Sequence, residues 1–225
     1  MKQIPFLPGR PRKNDALFIY GASKPKPYVV LYNQLTVEVV HGPSCRAPSE
    51  IILDNCRKDG VSVSERRGGG GTVVLSPGML ITVIVGERKR KDGALDIFER
   101  IHEIYADVLK KAGVPDVRLK GISDLAIGER KIMGSSLYMG TKPFYYYYQS
   151  CLMVSPDHSL LDRYLLHPPR EPDYRKGRSH REFCTSLREQ NCSIDQDELS
   201  AMLGSALGEQ LASKTTPPSS LPQRL

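Results

Sequence analysis

No apolar run in this chain is long enough to cross a bilayer. The longest, Met79 to Val85, falls far short of the ~20 residues that a spanning helix needs. Met1-Lys2-Gln3-Ile4-Pro5 opens no signal-peptide pattern, so no membrane role and a cytoplasmic location are expected. The five cysteines, Cys45, Cys56, Cys151, Cys184 and Cys192, are odd in number and include no Cys-x-x-Cys pair. That pattern indicates neither a zinc site nor a disulfide framework. The chain also lacks a Walker A loop, because no Gly-Lys-Ser/Thr follows its glycine-rich stretch. Nor does any Gly-x-Gly-x-x-Gly lead into a helix, which excludes the usual dinucleotide loop. No internal repeat is visible.

What is present points to one domain with an anionic partner. The length of 225 residues suits a single α/β or α+β core with a tail, and the net charge of +7 attracts acidic molecules of several kinds. The basic stretch Arg88-Lys89-Arg90-Lys91 reads as a solvated loop before a helix, so nucleic acid is not an expected partner. Residues 1–26 read as an N-terminal arm carrying the apolar patch Ala16 to Tyr20. The main domain is expected over 27–190, a C-terminal helix over 191–212 and a disordered tail over 213–225.

Four consecutive glycines, Gly68 to Gly71, follow Glu65-Arg66-Arg67 and precede Thr72-Val73-Val74. No packing role in a strand calls for them, since glycine weakens a strand, whereas in a loop it lets backbone N–H groups approach a ligand. A flexible linker or tight turn is the plain alternative. Strand-like flanks, Val61-Ser62-Val63 and Thr72 to Leu75, favour a loop held by a sheet beside two guanidiniums, suited to phosphate or another anion.

Strands are expected at Tyr28–Tyr32 and Leu35–Val40, around Asn33-Gln34, and a helix over Ser49–Lys58. From Ala94 to Ala112 the apolar residues keep a helical period, and Gly113 supplies a stop. Further strands are expected at Asp116–Leu119, Asp124–Ile127, Lys131–Tyr138 and from Tyr145 to Val154, with two of the four tyrosines 145–148 in the core. Asp157–Leu166 reads as a short helix and Arg170–Arg181 as a surface loop. A capping box, Ser193-Ile194-Asp195-Gln196, opens the last helix, whose apolar face carries Leu199, Leu203, Ala206, Leu207 and Leu211.

A second constellation lies on a predicted hairpin: Ser123-Asp124-Leu125, the turn Gly128-Glu129-Arg130, then Lys131-Ile132-Met133-Gly134-Ser135. Regular alternation places Lys131, Met133 and Ser135 on one face, and Ile132 and Gly134 on the other. A lysine facing inward requires an anion. An ordinary exposed lysine beside a turn is the alternative.

Together the two constellations resemble the lipoate-protein ligase, octanoyltransferase and biotin-ligase superfamily. Lipoate ligases carry Arg-Arg-x-Ser-Gly-Gly-Gly-x-Val, then Asn-Asp-Leu, then Gly-x-Lys-x-x-Gly-Ser. Glu65 to Val73, Ser123-Asp124-Leu125 and Glu129 to Ser135 are similar to these in the same order, and the resemblance covers roughly residues 28–190. It implies a class II synthetase-like mixed sheet with flanking helices, of α/β (α+β) class. It also implies an enzyme that activates lipoate with ATP as lipoyl-adenylate, then passes lipoyl to a lysine of an acceptor lipoyl domain, with Mg²⁺ shielding the phosphates. Carried over by position, Lys131 becomes the catalytic group at the acyl carbonyl. Arg66, Gly70, Gly71, Thr72, Val73, Val74, Asp124, Gly134 and Ser135 become the nucleotide and acyl-binding set, with Asp124 also nearest the metal. The departures are Glu65 for the first arginine, Gly68 for the serine, Leu75-Ser76 for His-Asp, Ser123 for the asparagine and Gln149-Ser150 for a downstream His-Gly. Two alternatives stay open: an ATP-independent acyltransferase using a cysteine thioester at Cys151 or Cys184, and a non-catalytic member. A separate accessory subunit is compatible with the resemblance, because little chain follows residue 190.

Overall fold

The computed structural model describes residues 21–213 apart from position 142. The expected arm residues Ala16 to Tyr20 and nearly all of the expected tail lie outside the described residues. Two sheets organise the rest. Strands β1 (Tyr28–Asn33), β5 (Met79–Glu87), β9 (Tyr145–Met153), β8 (Arg130–Met139), β7 (Asp124–Ile127) and β6 (Val117–Lys120) form a six-stranded sheet in that order, every neighbour antiparallel. Strands β3 (Ser62–Glu65), β2 (Glu38–His41) and β4 (Val73–Leu75) form a small second sheet, in which β2 and β3 run parallel. The mixed pairing expected for the sheet is therefore confined to the small one. Strands β1 and β2, which read as neighbours around Asn33-Gln34, separate into different sheets, and β1 instead finds its partner in the long apolar β5.

One face of the large sheet is covered by two long helices, α3 (Ala94–Lys111) and α6 (Gln196–Ser213). The first buries Ile97, Phe98, Ile101, Ile104, Tyr105, Val108 and Leu109, one stripe at the 3.6-residue period. Asp96 accepts from the Gly93 amide at 2.8 Å and closes its first turn, and Gly113 at φ +81 ends it. Helix α6 places Leu199, Leu203, Leu207 and Leu211 in the same core, each 3 % exposed or less. Each such leucine contributes ~1.5–3 kcal/mol by leaving water. The cap of α6 is Asp195, whose Oδ1 accepts from the amides of Asp197 and Glu198, rather than Ser193.

The other face packs on the small sheet and on the short helices α1 (Ala47–Glu50), α2 (Leu53–Asp59), α4 (Ser159–Tyr164) and α5 (His180–Phe183). The single helix expected over Ser49–Lys58 is split. Ile51 is extended at φ −125, ψ 134, and bridges to Leu165, because pairing there buries it to 2 % exposure. Of the four consecutive tyrosines, Tyr146, Tyr147 and Tyr148 are all buried. Both faces of β9 are covered, so alternation does not halve the buried set.

Candidate active site

The hairpin β7–β8 carries the lysine, and a bulge decides where it points. Opposite Leu125 and Ala126, strand β8 holds one extra residue: Leu125 pairs with Met133, and Ala126 with Lys131. Ile132 and Met133 both enter the helix-side core. Lys131 thereby shares the opposite face with Gly134 and Asp124. This corrects the grouping of Lys131 with Met133 and Ser135, because simple alternation fails across a bulge. The side chain of Ser135 instead lies on the helix side, where its hydroxyl donates to Ser123 O at 2.9 Å and meets His102 Nε2 at 3.0 Å.

Lys131 is 22 % exposed and has found its anion. Its Nζ lies 2.7 Å from Asp124 Oδ1, and the Asp124 side chain is 9 % exposed. The ammonium folds back over Gly134, where a Cβ would sit 2.7 Å from Nζ and 2.8 Å from Cε. Burial opposes the charge on Lys131, but Asp124 and the nearby thiols outweigh it and raise its pKa above the ordinary lysine value. The second carboxylate oxygen of Asp124 accepts from the Tyr174 hydroxyl at 2.9 Å.

Tyr174 arrives from the stretch that reads as a surface loop. That stretch is a strap: Arg178 Nη2 bonds Glu129 O and Tyr174 O, Arg130 Nη2 bonds Cys184 O, and Arg175 is buried beside Phe183. Its aromatic residue, Tyr174, lies against Phe183 just beyond the stretch, with ring centroids 5.0 Å apart, and an aromatic inside an otherwise charged run is the one signal that could have marked it. Both candidate cysteines lie near the lysine. Cys184 pairs with Lys131 through a backbone bridge, and Cys151 stands opposite Gly134. Burial raises both thiols, Cys151 to about 12, and Lys131 only partly offsets it.

The glycine tract leans on the same face of β8 at Ser136, two residues beyond Gly134 along the strand. A Cβ at Gly68 would meet Ser136 Oγ at 2.8 Å and Leu137 N at 3.1 Å, so a side chain at this position, where the resemblance has serine, would have to push Ser136 aside. Position 42 requires glycine, since its Cβ would meet Gly70 O at 2.1 Å. Packing thus does ask for glycines here, contrary to the expectation from strand behaviour. Arg66 braces the tract from beneath, donating to Val40 O, Gly69 O and Gly71 O at 3.2, 2.9 and 2.7 Å. Burial lowers its pKa to about 10, and the carbonyls it holds account for both of its terminal nitrogens. Glu50 Oε2 accepts from Thr72 N and Thr72 Oγ1, the Val73 side chain is half-buried, and Val74 is core.

The predicted residues therefore fall into two groups on one sheet face: Lys131, Asp124 and Gly134 in the first, and Arg66, Gly70, Gly71 and Thr72 in the second. Tyr174, Glu50 and Ser136 join them unpredicted. Asp124 does not fit a metal ligand in this arrangement, since Lys131 and Tyr174 engage its two oxygens, and no cluster of three metal-ligating side chains occurs among the described residues.

Fold and site together define an α+β protein with a lysine-centred polar site beneath a braced glycine loop. The model of the lipoyl protein ligase A/B catalytic domain matches residues 16–208, and the chain belongs to that family. It is 25 % identical over 193 residues to a lipoate-protein ligase A of Psychrobacter cryohalolentis, covering 85 % of this chain and 54 % of that one. The chain thus spans about half the length of this curated relative. Among solved structures it resembles the bipartite lipoate protein ligase of Thermoplasma acidophilum, described with its E2 lipoyl domain, at TM-score 0.73 and 25 % identity over 86 % of this chain and 75 % of that one. A lipoate-protein ligase A bound with ATP has the same fold, at TM-score 0.72 and 22 % identity, covering 88 % of this chain and 78 % of that one.

Proposed function

We propose that this chain is the catalytic part of a lipoate-protein ligase: it joins lipoate to ATP as lipoyl-adenylate and passes lipoyl to a lysine amine of an acceptor lipoyl domain. The observation that carries this reading is the half-buried Lys131 ammonium, paired with Asp124 and held over Gly134, in a chain of this family. A fixed cation there first holds the lipoate carboxylate and then stabilises negative charge on the acyl oxygen as the acceptor amine attacks. Asp124 keeps Lys131 charged and oriented, and Tyr174 fixes Asp124. The Thermoplasma relative, bipartite and described with an E2 lipoyl domain, supports both the acceptor class and an accessory component. The ATP-bound relative supports ATP as the activating substrate.

A second reading rests on Cys184 beside Lys131: acyl transfer through a thioester without ATP. The raised thiol pKa of Cys184 weighs against it, since a protonated thiol is the poorer nucleophile. Mass spectrometry of a lipoyl domain incubated with the chain, lipoate and ATP separates the two. The expected result is a gain of one lipoyl group that needs ATP and falls by about 10²–10³ in rate in Lys131→Met, as for loss of one oxyanion-stabilising donor. Preformed lipoyl-adenylate should bypass the ATP requirement. Transfer from an acyl thioester without ATP, abolished by Cys184→Ser, would replace the ligase reading with the second one.

A further inference from the structure

Along β9, the side chains that lead away from Lys131 on the functional face are apolar with one exception. Cys151 stands opposite Gly134 on β8 and Ile81 on β5; two residues back, Gln149 stands between Ser136 and Val83, and Tyr147 follows. Ile81, Val83 and Tyr147 are buried, each 4 % exposed or less. Strand alternation puts Gln149 on the same face as Cys151 and Tyr147. Its Oε1 is buried and has no hydrogen-bond partner among the described residues. Ser136, across the pair, is buried beneath Gly68 of the tract, and its hydroxyl makes no hydrogen bond among the described residues either. A buried carboxamide oxygen in this state is costly until a donor reaches it.

The position of Gln149 relative to the lysine indicates which molecule brings that donor. On its other side Lys131 is closed in: Thr185 N donates to Lys131 O at 2.9 Å, Cys184 bridges to its backbone, and Tyr174 holds Asp124. A chain whose carboxylate rests on the ammonium therefore runs along β8 and β9, beneath the glycine tract, toward Gln149. Gln149 lies one residue pair beyond Cys151, about 7 Å along the strand, a span that a hydrocarbon chain covers in roughly five or six bonds. Lipoate carries its first sulfur at that reach, on the sixth carbon. Octanoate has no polar group there, the cyclic disulfide offers sulfur without a proton, and the reduced dithiol offers S–H, a weak donor.

We propose that Gln149, with Ser136, selects the acyl substrate by its sulfur end, taking the dithiol form of lipoate in preference to the cyclic disulfide and to octanoate. The proposal rests on the ligase reading above for the anchor at Lys131. Selection works by difference: a chain with a donor satisfies the carboxamide oxygen, whereas a chain without one seals that oxygen from water unpaired. No bond to sulfur is made or broken in the site, and the dithiol arrives already reduced.

Calorimetric titration of the full chain under argon with dihydrolipoate, lipoate, octanoate and 6-hydroxyoctanoate tests the assignment without ATP or acceptor. Wild type should bind dihydrolipoate about tenfold more tightly than lipoate or octanoate, as for one hydrogen bond to an otherwise unpaired buried acceptor, and the hydroxy acid should also lead octanoate. Gln149→Leu should remove both preferences. Ser136→Ala should reduce them, and it carries the test if Gln149→Leu does not fold; unchanged ratios in it would then overturn the proposal. The proposal also falls if wild type binds all four acids alike, if the preferences survive Gln149→Leu, or if that variant weakens all four equally, as a purely structural residue would. A preference for lipoate that depends on Gln149 would overturn it too, since the amide nitrogen would then be the group that meets the chain. The two readings fail separately. The expected preferences without ATP-dependent lipoyl transfer would overturn the ligase reading and leave selection at Gln149 standing, and ATP-dependent transfer with no preference among the acids would do the reverse.

Discussion

The two faces of the six-stranded sheet are built from the same strands and satisfy their polar groups in different ways. Toward α3 and α6, the polar atoms of β5, β8 and β9 are hydroxyls bonded to one another and to the helix: Tyr105 reaches Thr82 and, at 3.0 Å, Ser150, and His102 reaches Ser135. Every partner there is neutral, and apolar side chains surround the network. Toward the small sheet, β8 and β9 present Lys131, Gly134 and Cys151, and the stabilising partner of the lysine is a charge. The first face can be dry and permanent. The second keeps an ammonium that, on the proposed ligase reading, a substrate carboxylate recruits from Asp124, so it holds charge in reserve at the cost of desolvation.

The largest expected effect on this comparison comes from the helix side. Leu203→Ala, at a fully buried leucine, should cost about 2–5 kcal/mol of unfolding free energy in urea and leave the proposed lipoyl transfer unchanged per folded molecule. A collapse of transfer without that stability loss would mean that the two faces are not independent. Next comes the acid dependence of His102. Burial lowers its pKa from 6.5 to about 4, so between these values the unfolded chain binds the proton and the folded chain does not. The stability this neutral histidine allows is present above pH 6.5 and is lost as pH falls toward 4, by up to about 3 kcal/mol. His102→Asn should flatten that part of the pH–stability curve, and an unchanged slope would show that another group carries it. The smallest effect separates two glycines on the functional face. Gly134→Ala should displace the Lys131 ammonium and slow transfer about tenfold with less than ~1 kcal/mol of destabilisation, because the clashing atom ends a flexible chain. Gly69→Ala, with nothing within 4 Å of the new Cβ, should change neither quantity, and a loss there would show that the tract moves during turnover.

Much of the helix-side face is legible in the sequence, because it obeys periodicity: the stripe of α3, the leucines of α6 and the hairpin strands fall where their apolar spacing puts them. The functional face is legible by residue type and much less by geometry. Lys131, Asp124 and Gly134 stand out as chemistry, but the bulge that turns Lys131 away from Met133 depends on one extra residue whose position only cross-strand pairing reveals. Tyr174 lies fifty residues from Asp124 in sequence, inside a charged run with no periodic signal. The break between α1 and α2 comes from Ile51 pairing with Leu165, a long-range contact that outweighs local helical spacing.

Gly42 and Gly70 share a single gap, in which a methyl on Gly42 would overlap the Gly70 carbonyl oxygen. For inheritance, this makes the two positions one unit. A lineage that replaces Gly42 must first reshape the tract, and a lineage that reshapes the tract removes the constraint on Gly42. Variation at these positions across descendants should therefore be paired, and a chain with any other residue at 42 should be one whose loop takes a different path.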